Sequence, residues 1–472
     1  MAYVGQEQFF AGARDYFARH AYRNTELADL LDCLERSSGR DLRAWSRAWL
    51  ETAGVSRLDP VVETGPDGRI TRLAVAQDAV DAMTGAPVDR PHHVVIGLYE
   101  PSGDGLARAR SIATDVVGPR TEVPEAVGGP AALVLVNDDD LTYTKVRLDP
   151  GSLTTVRARL AAVPAPLSRA LVWSALWNAV RDAELPASDY LDVAFVQVGR
   201  EPAADLLDTV LGEIGTAIED YLPAAQRAAA RSRLVATCRR GLQEAAPGSD
   251  AQLTWARHLT RAAATSADGV TAVRGLLDGS TLPANLPVDP DLRWACWVAL
   301  AAQDAASPTE LDAELAADDT MTGRRAHLLA VASRPGAVAR EATWQRATTD
   351  ESVTNDQLRA LVRGFAQPAD PPAPGYAERY FASLTGWWAS RTQTMATILA
   401  RGLFPGGSLD AGERPEQHPV VRRARAWLHD HDDAPQALRR IVIEQLDDRE
   451  RALRAQAAAP AQPCSSTRRP AR

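Results

Sequence analysis

A metal ion that activates water is commonly held by two imidazoles one helical turn apart with a carboxylate beside them, so the histidines are weighed first. There are eight: His20, His92, His93, His258, His327, His418, His429 and His431. None is followed by Glu, and no two stand at i, i+4, the spacing that puts both rings on one helix face. His429-Asp430-His431 has the right residue types, but positions i and i+2 of a helix point apart, and a solvated helix end is the expected reading. His92-His93 opens an expected strand, where neighbours face opposite sides of a sheet. Cys33, Cys238, Cys296 and Cys464 show no paired spacing, which argues for reduced, buried thiols over a zinc knuckle or a disulfide framework. Gly128-Gly129 and Gly406-Gly407 lack the flanks of a phosphate or dinucleotide loop, and no G-x-S-x-G elbow occurs. Trp387-Trp388 and the pair Trp173 and Trp177 sit at helical positions amid Leu and Ala, where core packing is the expected role.

These residues must be positioned by a chain of 472 residues, long enough for two or three folded units. With 45% hydrophobic and 24% charged residues it has the composition of a soluble globular protein. A net charge of −9 offers no global field for a polyanion, so a nucleic-acid partner is not expected. There is no basic-then-apolar leader and no apolar run of ~20 residues, so no membrane role is expected and a cytoplasmic location is.

Helical spacing of Phe9, Ala13, Tyr16, Phe17 and His20 predicts a first helix. Asn24 and Thr25 supply capping oxygens for a second helix carrying Leu27, Leu30, Leu31 and Leu34 and ending near Gly39. Asp41 is the expected cap of a third, with Leu42, Trp45 and Trp49. Helices this short are marginal alone, so several of Phe9, Tyr16, Phe17, Trp45 and Trp49 are expected to remain partly uncovered. From about Val55 to Pro150 the pattern turns to strands, at Ile70 to Val75 after Pro66-Asp67-Gly68, His93 to Tyr99, Leu133 to Val136 and an alternating Leu141 to Leu148. A small β-sandwich is expected there. From Gly151 to about Ala459 helical periodicity returns, broken by Pro186, Pro223, Pro247, Pro283, Pro308, Pro335 and Pro368, as in an irregular α-superhelix. The end, 460–472, is Pro-, Ser- and Arg-rich and is expected to be disordered.

Several segments carry a resemblance. Phe9-Phe10-Ala11-Gly12-Ala13-Arg14-Asp15-Tyr16-Phe17, His20-Ala21-Tyr22-Arg23-Asn24-Thr25, Ser38-Gly39-Arg40-Asp41-Leu42 through Trp45, and Trp49-Leu50-Glu51-Thr52-Ala53-Gly54-Val55 are similar to the end of the catalytic domain of M1-family zinc aminopeptidases. Leu135-Val136-Asn137-Asp138-Asp139-Asp140-Leu141-Thr142-Tyr143-Thr144-Lys145 resembles the end of that family's β-sandwich, and Asp291-Leu292-Arg293-Trp294 its helical C-terminal domain. The helix Leu438 to Gln456 resembles the last one of actinobacterial members. The implied fold is mainly α with a small β-sandwich: a helical remnant of a thermolysin-like domain (about 1–55), the sandwich (about 56–150), then an irregular α-superhelical domain (about 151–459).

The resemblance implies an enzyme that removes N-terminal residues from peptides, with this portion forming the lid and substrate-cavity wall. In the family, zinc is held by H-E-x-x-H and a later Glu, with the motif Glu as base, while a G-A-M-E-N loop takes the substrate amine and a Tyr stabilises the oxyanion. None of these motifs matches a position here, so no catalytic residue is carried over, no metal ligand is assigned and no cofactor is expected on this chain itself. Met1-Ala2-Tyr3-Val4-Gly5 looks like the middle of the helix after the catalytic tyrosine, so the chain is expected to open inside a domain, with the missing catalytic half a possible partner beside peptides. Asp138-Asp139-Asp140 lacks the glycine and distal glutamate of a calcium loop, and the resemblance makes it a turn. Arg293 and Trp294 are the cavity candidates: an Arg there could meet a substrate carboxylate, or pair within the helical domain. The alternative function is a non-catalytic scaffold or peptide-binding helical module.

Overall fold

The computed structural model describes residues 1–367, 375–410 and 412–459; the tail expected at 460–472, with Cys464, and the helix breaker Pro368 lie outside the described residues. Helix accounts for 59% of residues and strand for 12%, so the protein is mainly α. Two compact units divide the chain, Met1–Ala179 and Val180–Arg472.

The first unit opens with α1 (Gln6–Arg19), α2 (Leu27–Ser38) and α3 (Arg43–Leu50). The cap of α2 is Glu26, not the expected Asn24 or Thr25: its backbone N–H donates to Asp29 Oδ2 at 2.9 Å in a reciprocal capping box. Gly39, at φ +68°, ends α2 in the left-handed conformation that glycine adopts without strain. Leu42 rather than Asp41 is the cap residue of α3; Asp41 Oδ1 accepts from the Arg43 N–H at 2.9 Å. Gly12 lets α1 and α2 approach closely, since a Cβ there would lie 2.9 Å from Leu34 Cδ2 and 3.0 Å from the Cys33 carbonyl. Val4, Leu34 and Leu42 form a small core lined by Tyr3, Phe9, Leu30, Leu31 and Trp45. That core covers only part of the apolar surface. Phe10, Phe17, Tyr22, Leu27 and Leu50 are exposed, and Phe9, Tyr16, Trp45 and Trp49 are half-buried.

Seven strands follow: β1 (Arg57–Thr64), β2 (Ile70–Asp78), β3 (His92–Ser102), β4 (Gly105–Val116), β5 (Arg120–Glu122), β6 (Leu133–Val136) and β7 (Lys145–Val146). They make a four-stranded sheet ordered β5-β2-β1-β7 and a three-stranded sheet ordered β4-β3-β6. Leu58, Leu73 and Val75 of one sheet and Val94, Ile96, Leu98 and Val134 of the other meet in a shared core, so the two sheets form a sandwich. Pro60 is tolerated inside β1 because β7 pairs only with Arg57 and Leu58, leaving that edge open where the missing N–H falls.

The strand expected over Leu141 to Leu148 is a correction: only Lys145 and Val146 pair, and parallel to β1 rather than antiparallel. Asn137 and Asp140 take positive φ, and Asn137 Oδ1 accepts from the backbone N–H groups of Leu141 and Thr142 at 2.9 and 3.3 Å. A local side-chain turn thus consumes the donors a ladder would need. Residues beyond Pro150 stay bound to the sandwich: Ser152 Oγ accepts from the Val134 N–H at 2.8 Å, and Ser168 Oγ donates to Asp138 Oδ1 at 2.6 Å.

In the second unit five alternate helices stack in a row. Asp250–Ala263, Pro290–Ala302, Met321–Ala332, Asn355–Phe365 and Gln393–Gly402 pack in succession, each on the next. Between them in sequence Val270–Asp278, Pro308–Ala317, Ala337–Thr349 and Tyr376–Ser390 each pack against the helix that follows. Prolines mark the starts, as at Pro290 behind Asp289 and Pro308 behind Ser307, whose side chains accept from the N–H groups of Leu292 and Glu310. The core of the C-terminal helices gathers Trp344, Phe365, Tyr380, Phe381, Leu384, Trp387, Trp427 and Leu438. No helix among the described residues is long and apolar enough to cross a membrane.

Candidate functional site

The expected chemistry of the histidines is settled by their partners. His93 Nδ1 lies 2.6 Å from Asp115 Oδ1, His258 Nε2 2.8 Å from Asp208 Oδ1, and His327 Nε2 2.9 Å from Asp312 Oδ1. Each is one imidazole on one carboxylate. Burial pushes His258 below its ordinary range, against the opposing pull of Asp208. His92, buried against the ring edge of Trp49, is pushed down to about 4 by burial and by the nearby Arg90 charge. His431 stacks on Trp427 with ring centroids 4.8 Å apart, while His429 is exposed, so the two rings of the His-Asp-His run diverge.

Asp138 is fully enclosed by protein donors: Tyr99 Oη at 2.8 Å, Ser168 Oγ at 2.6 Å and Arg108 Nη1 at 3.0 Å. Arg108 also donates to Asp139 at 2.8 Å, so this triplet is a turn clamped by an arginine. Among the described residues no three His, Cys, Asp or Glu side chains converge as a metal set. These side chains do not fit the zinc that the resemblance implies. Cys33, Cys238 and Cys296 are buried and free, and burial pushes the Cys238 and Cys296 thiols up to about 12.

A cleft within the second unit has a volume of about 440 Å³ and is walled by four helices of one row. The helix Asp250–Ala263 contributes Arg257 and Arg261, Pro290–Ala302 contributes Leu292, Trp294 and Val298, Met321–Ala332 contributes Arg325 and Leu329, and Asn355–Phe365 contributes Arg359 and Arg363. Small residues on these helices, among them Ala295, Ala326 and Ala360, leave room between the walls. Its floor is apolar, with Val298 and Leu329 half-buried in the lining over the buried Leu292 and Trp294, and its rim is cationic, since all five arginines are exposed. Asp291 and Asp356 are the acidic side chains of the lining. Arg359 pairs with Asp356 at 2.8 Å, and Arg261 stands 3.9 Å from Asp208. For Arg257, Arg325 and Arg363 no ion pair exists among the described residues.

The two residues expected at a cavity part ways here. Trp294 is in the cleft wall, 3% exposed, with its indole N–H donating to Asp318 at 2.9 Å. Arg293 turns to the helix Pro308–Ala317, where Nε and Nη2 donate to the two oxygens of Glu314 at 2.7 and 2.6 Å. The rim arginines escaped the sequence reading. Their one signal was Arg257/Arg261 and Arg359/Arg363 at i, i+4, a like-charge spacing unfavourable on a helix unless something neutralises it.

Residues 133–451 match the family described as the ERAP1-like C-terminal domain. The chain is 40% identical over 464 residues to aminopeptidase N of Streptomyces lividans, an alignment that covers 97% of this chain and 53% of that protein. Shorter stretches are similar to the Tricorn protease-interacting factor F2 of Thermoplasma volcanium (36% over 83 residues, 18% of this chain and 10% of that protein). A further stretch is similar to aminopeptidase N of Lactococcus lactis (38% over 52 residues, 11% and 6%). The chain thus spans about half the length of the Streptomyces relative, corresponding to its C-terminal half. With a match running from the last strands of the sandwich through the stacked helices, the chain belongs to the ERAP1-like C-terminal domain family, as a C-terminal portion of an M1-type aminopeptidase.

Proposed function

We propose that this chain forms the lid and substrate-cavity wall of a cytoplasmic zinc metallo-aminopeptidase that removes N-terminal residues from peptides. In this reading residues 1–55 are the end of the catalytic domain, 56–150 the β-sandwich, and 151–459 a helical superhelix around the peptide. Zinc, and the carboxylate that would help it activate water, belong to a catalytic half outside this sequence. The observation that carries the reading is identity at the 40% level along 97% of the chain to a protein named aminopeptidase N. The exposed Phe10, Phe17, Tyr22 and Leu50 support it as a face suited to that missing half. Buried free thiols agree with a reducing compartment.

Alone, the chain hydrolyses no peptide. The test is the purified chain with added zinc on an aminoacyl chromogenic substrate: no turnover is expected, and turnover that a chelator abolishes would overturn the assignment of the chemistry to another segment.

A further inference from the structure

The cleft of the second unit holds five guanidinium groups and two carboxylates. One carboxylate, Asp356, is already taken by Arg359. Among the described residues Arg257, Arg325 and Arg363 have no ion pair, one on each of three helices, above the apolar lining of Val298 and Leu329. Such a local excess of positive charge stands out in a chain of net charge −9. A single carboxylate engages one guanidinium as a bidentate pair and would leave the others unanswered. The spread over three helices calls for several negative groups carried on one flexible, partly apolar backbone.

We propose that this cleft binds peptide segments bearing several acidic side chains, with Arg257, Arg325 and Arg363 meeting separate carboxylates and the wall at Val298 and Leu329 covering the apolar residues between them. The inference rests on the reading that the helical portion faces peptide, and narrows the class of peptide it favours. Binding is charge-assisted and therefore falls as salt rises.

The test is fluorescence anisotropy of the full chain with a labelled decapeptide of alternating Glu and Leu, acetylated and amidated so that only side chains carry charge. Micromolar binding that weakens with salt is expected. Arg325→Gln and Arg363→Gln are each expected to weaken it about tenfold, the loss of one charged hydrogen-bonding group. Arg324→Gln, an exposed neighbour outside the cleft that pairs with Asp319 at 2.7 Å, is expected to leave binding unchanged. All three positions are exposed, and overlaying thermal melts would show that the fold is kept. The proposal falls if a Gln-for-Glu peptide with a free C-terminus binds as well, which would make one terminal carboxylate sufficient. It falls equally if Arg324→Gln weakens binding as much as the cleft variants, if a short oligonucleotide competes at the same concentration, or if no acidic peptide binds. Hydrolysis by the chain alone would instead overturn the proposed function and leave the binding result standing.

Discussion

The Arg293 guanidinium clasps both carboxylate oxygens of Glu314, at 2.6 and 2.7 Å, and so locks the helix Pro290–Ala302 to Pro308–Ala317. Glu314 is buried and its carboxyl is held below the usual range first by this pair, against the opposing effect of burial. Arg293→Met leaves that carboxylate without its partner, and a loss of about 1–2 kcal/mol at neutral pH is expected, discounted for the partial exposure of the arginine. A depressed carboxyl stabilises the fold above its ordinary pKa, and that contribution disappears as pH falls through the folded value. Urea melts at pH 7 and pH 3 check this: the gap between wild type and variant should narrow in acid, and an unchanged gap would remove the pair from the account.

Arg90 ties α3 to the sandwich. It is 1% exposed, and it donates from Nε to the Ala48 carbonyl at 3.1 Å and from Nη2 to Thr52 Oγ1 and the Ala53 carbonyl at 2.6 and 2.9 Å. The Ala48 carbonyl belongs to the last turn of α3, where carbonyls lack a helical N–H partner, and the Ala53 carbonyl and Thr52 hydroxyl lie just past that end. Arg90→Ala should cost about 2–4 kcal/mol and speed amide exchange over residues 43–53, with Arg90→Lys restoring little because an ammonium cannot span three acceptors as a planar fork does. Exchange rates that stay at wild-type values would refute the tie.

Glu213 is pushed up to about 7 by burial, which outweighs the opposing effect of the hydrogen bond that the Tyr190 hydroxyl donates to it at 3.0 Å. A folded carboxyl pKa raised above the unfolded value stabilises fully at low pH and loses that contribution as pH rises from about 4.5 through about 7. Glu213→Gln keeps an acceptor for Tyr190 without the charge, so the variant should gain roughly 2–3 kcal/mol over wild type at pH 8 and nothing at pH 4. Thermal melts at the two pH values decide it.

Much of this architecture was legible because local patterns coincide with what packs. The Leu27, Leu30, Leu31 and Leu34 stripe marks a helix, and three of those leucines belong to its small core. Leu133 to Val136, an unbroken apolar run, is a strand buried on both faces. β1 is absent from the strands expected, and its Pro60 fits a strand only because no neighbour needs an N–H there, which pairing and not sequence decides. The alternation from Leu141 to Leu148 misled because period alone does not reveal that Asn137 folds back on the same backbone.

The sequence by itself determined the family resemblance, the mainly α class and the lack of any histidine pair spaced for a metal, since these depend on residue type and separation along the chain. Tertiary structure decided which arginines face a cleft. Arg293 and Trp294 are adjacent in the chain but lie about 100° apart around a helix, and only the neighbouring helices determine that one pairs with Glu314 while the other walls a cavity. Arg257, Arg325 and Arg363 are far apart in sequence, and their convergence comes from stacking one row of helices, a long-range packing outcome that no local pattern encodes.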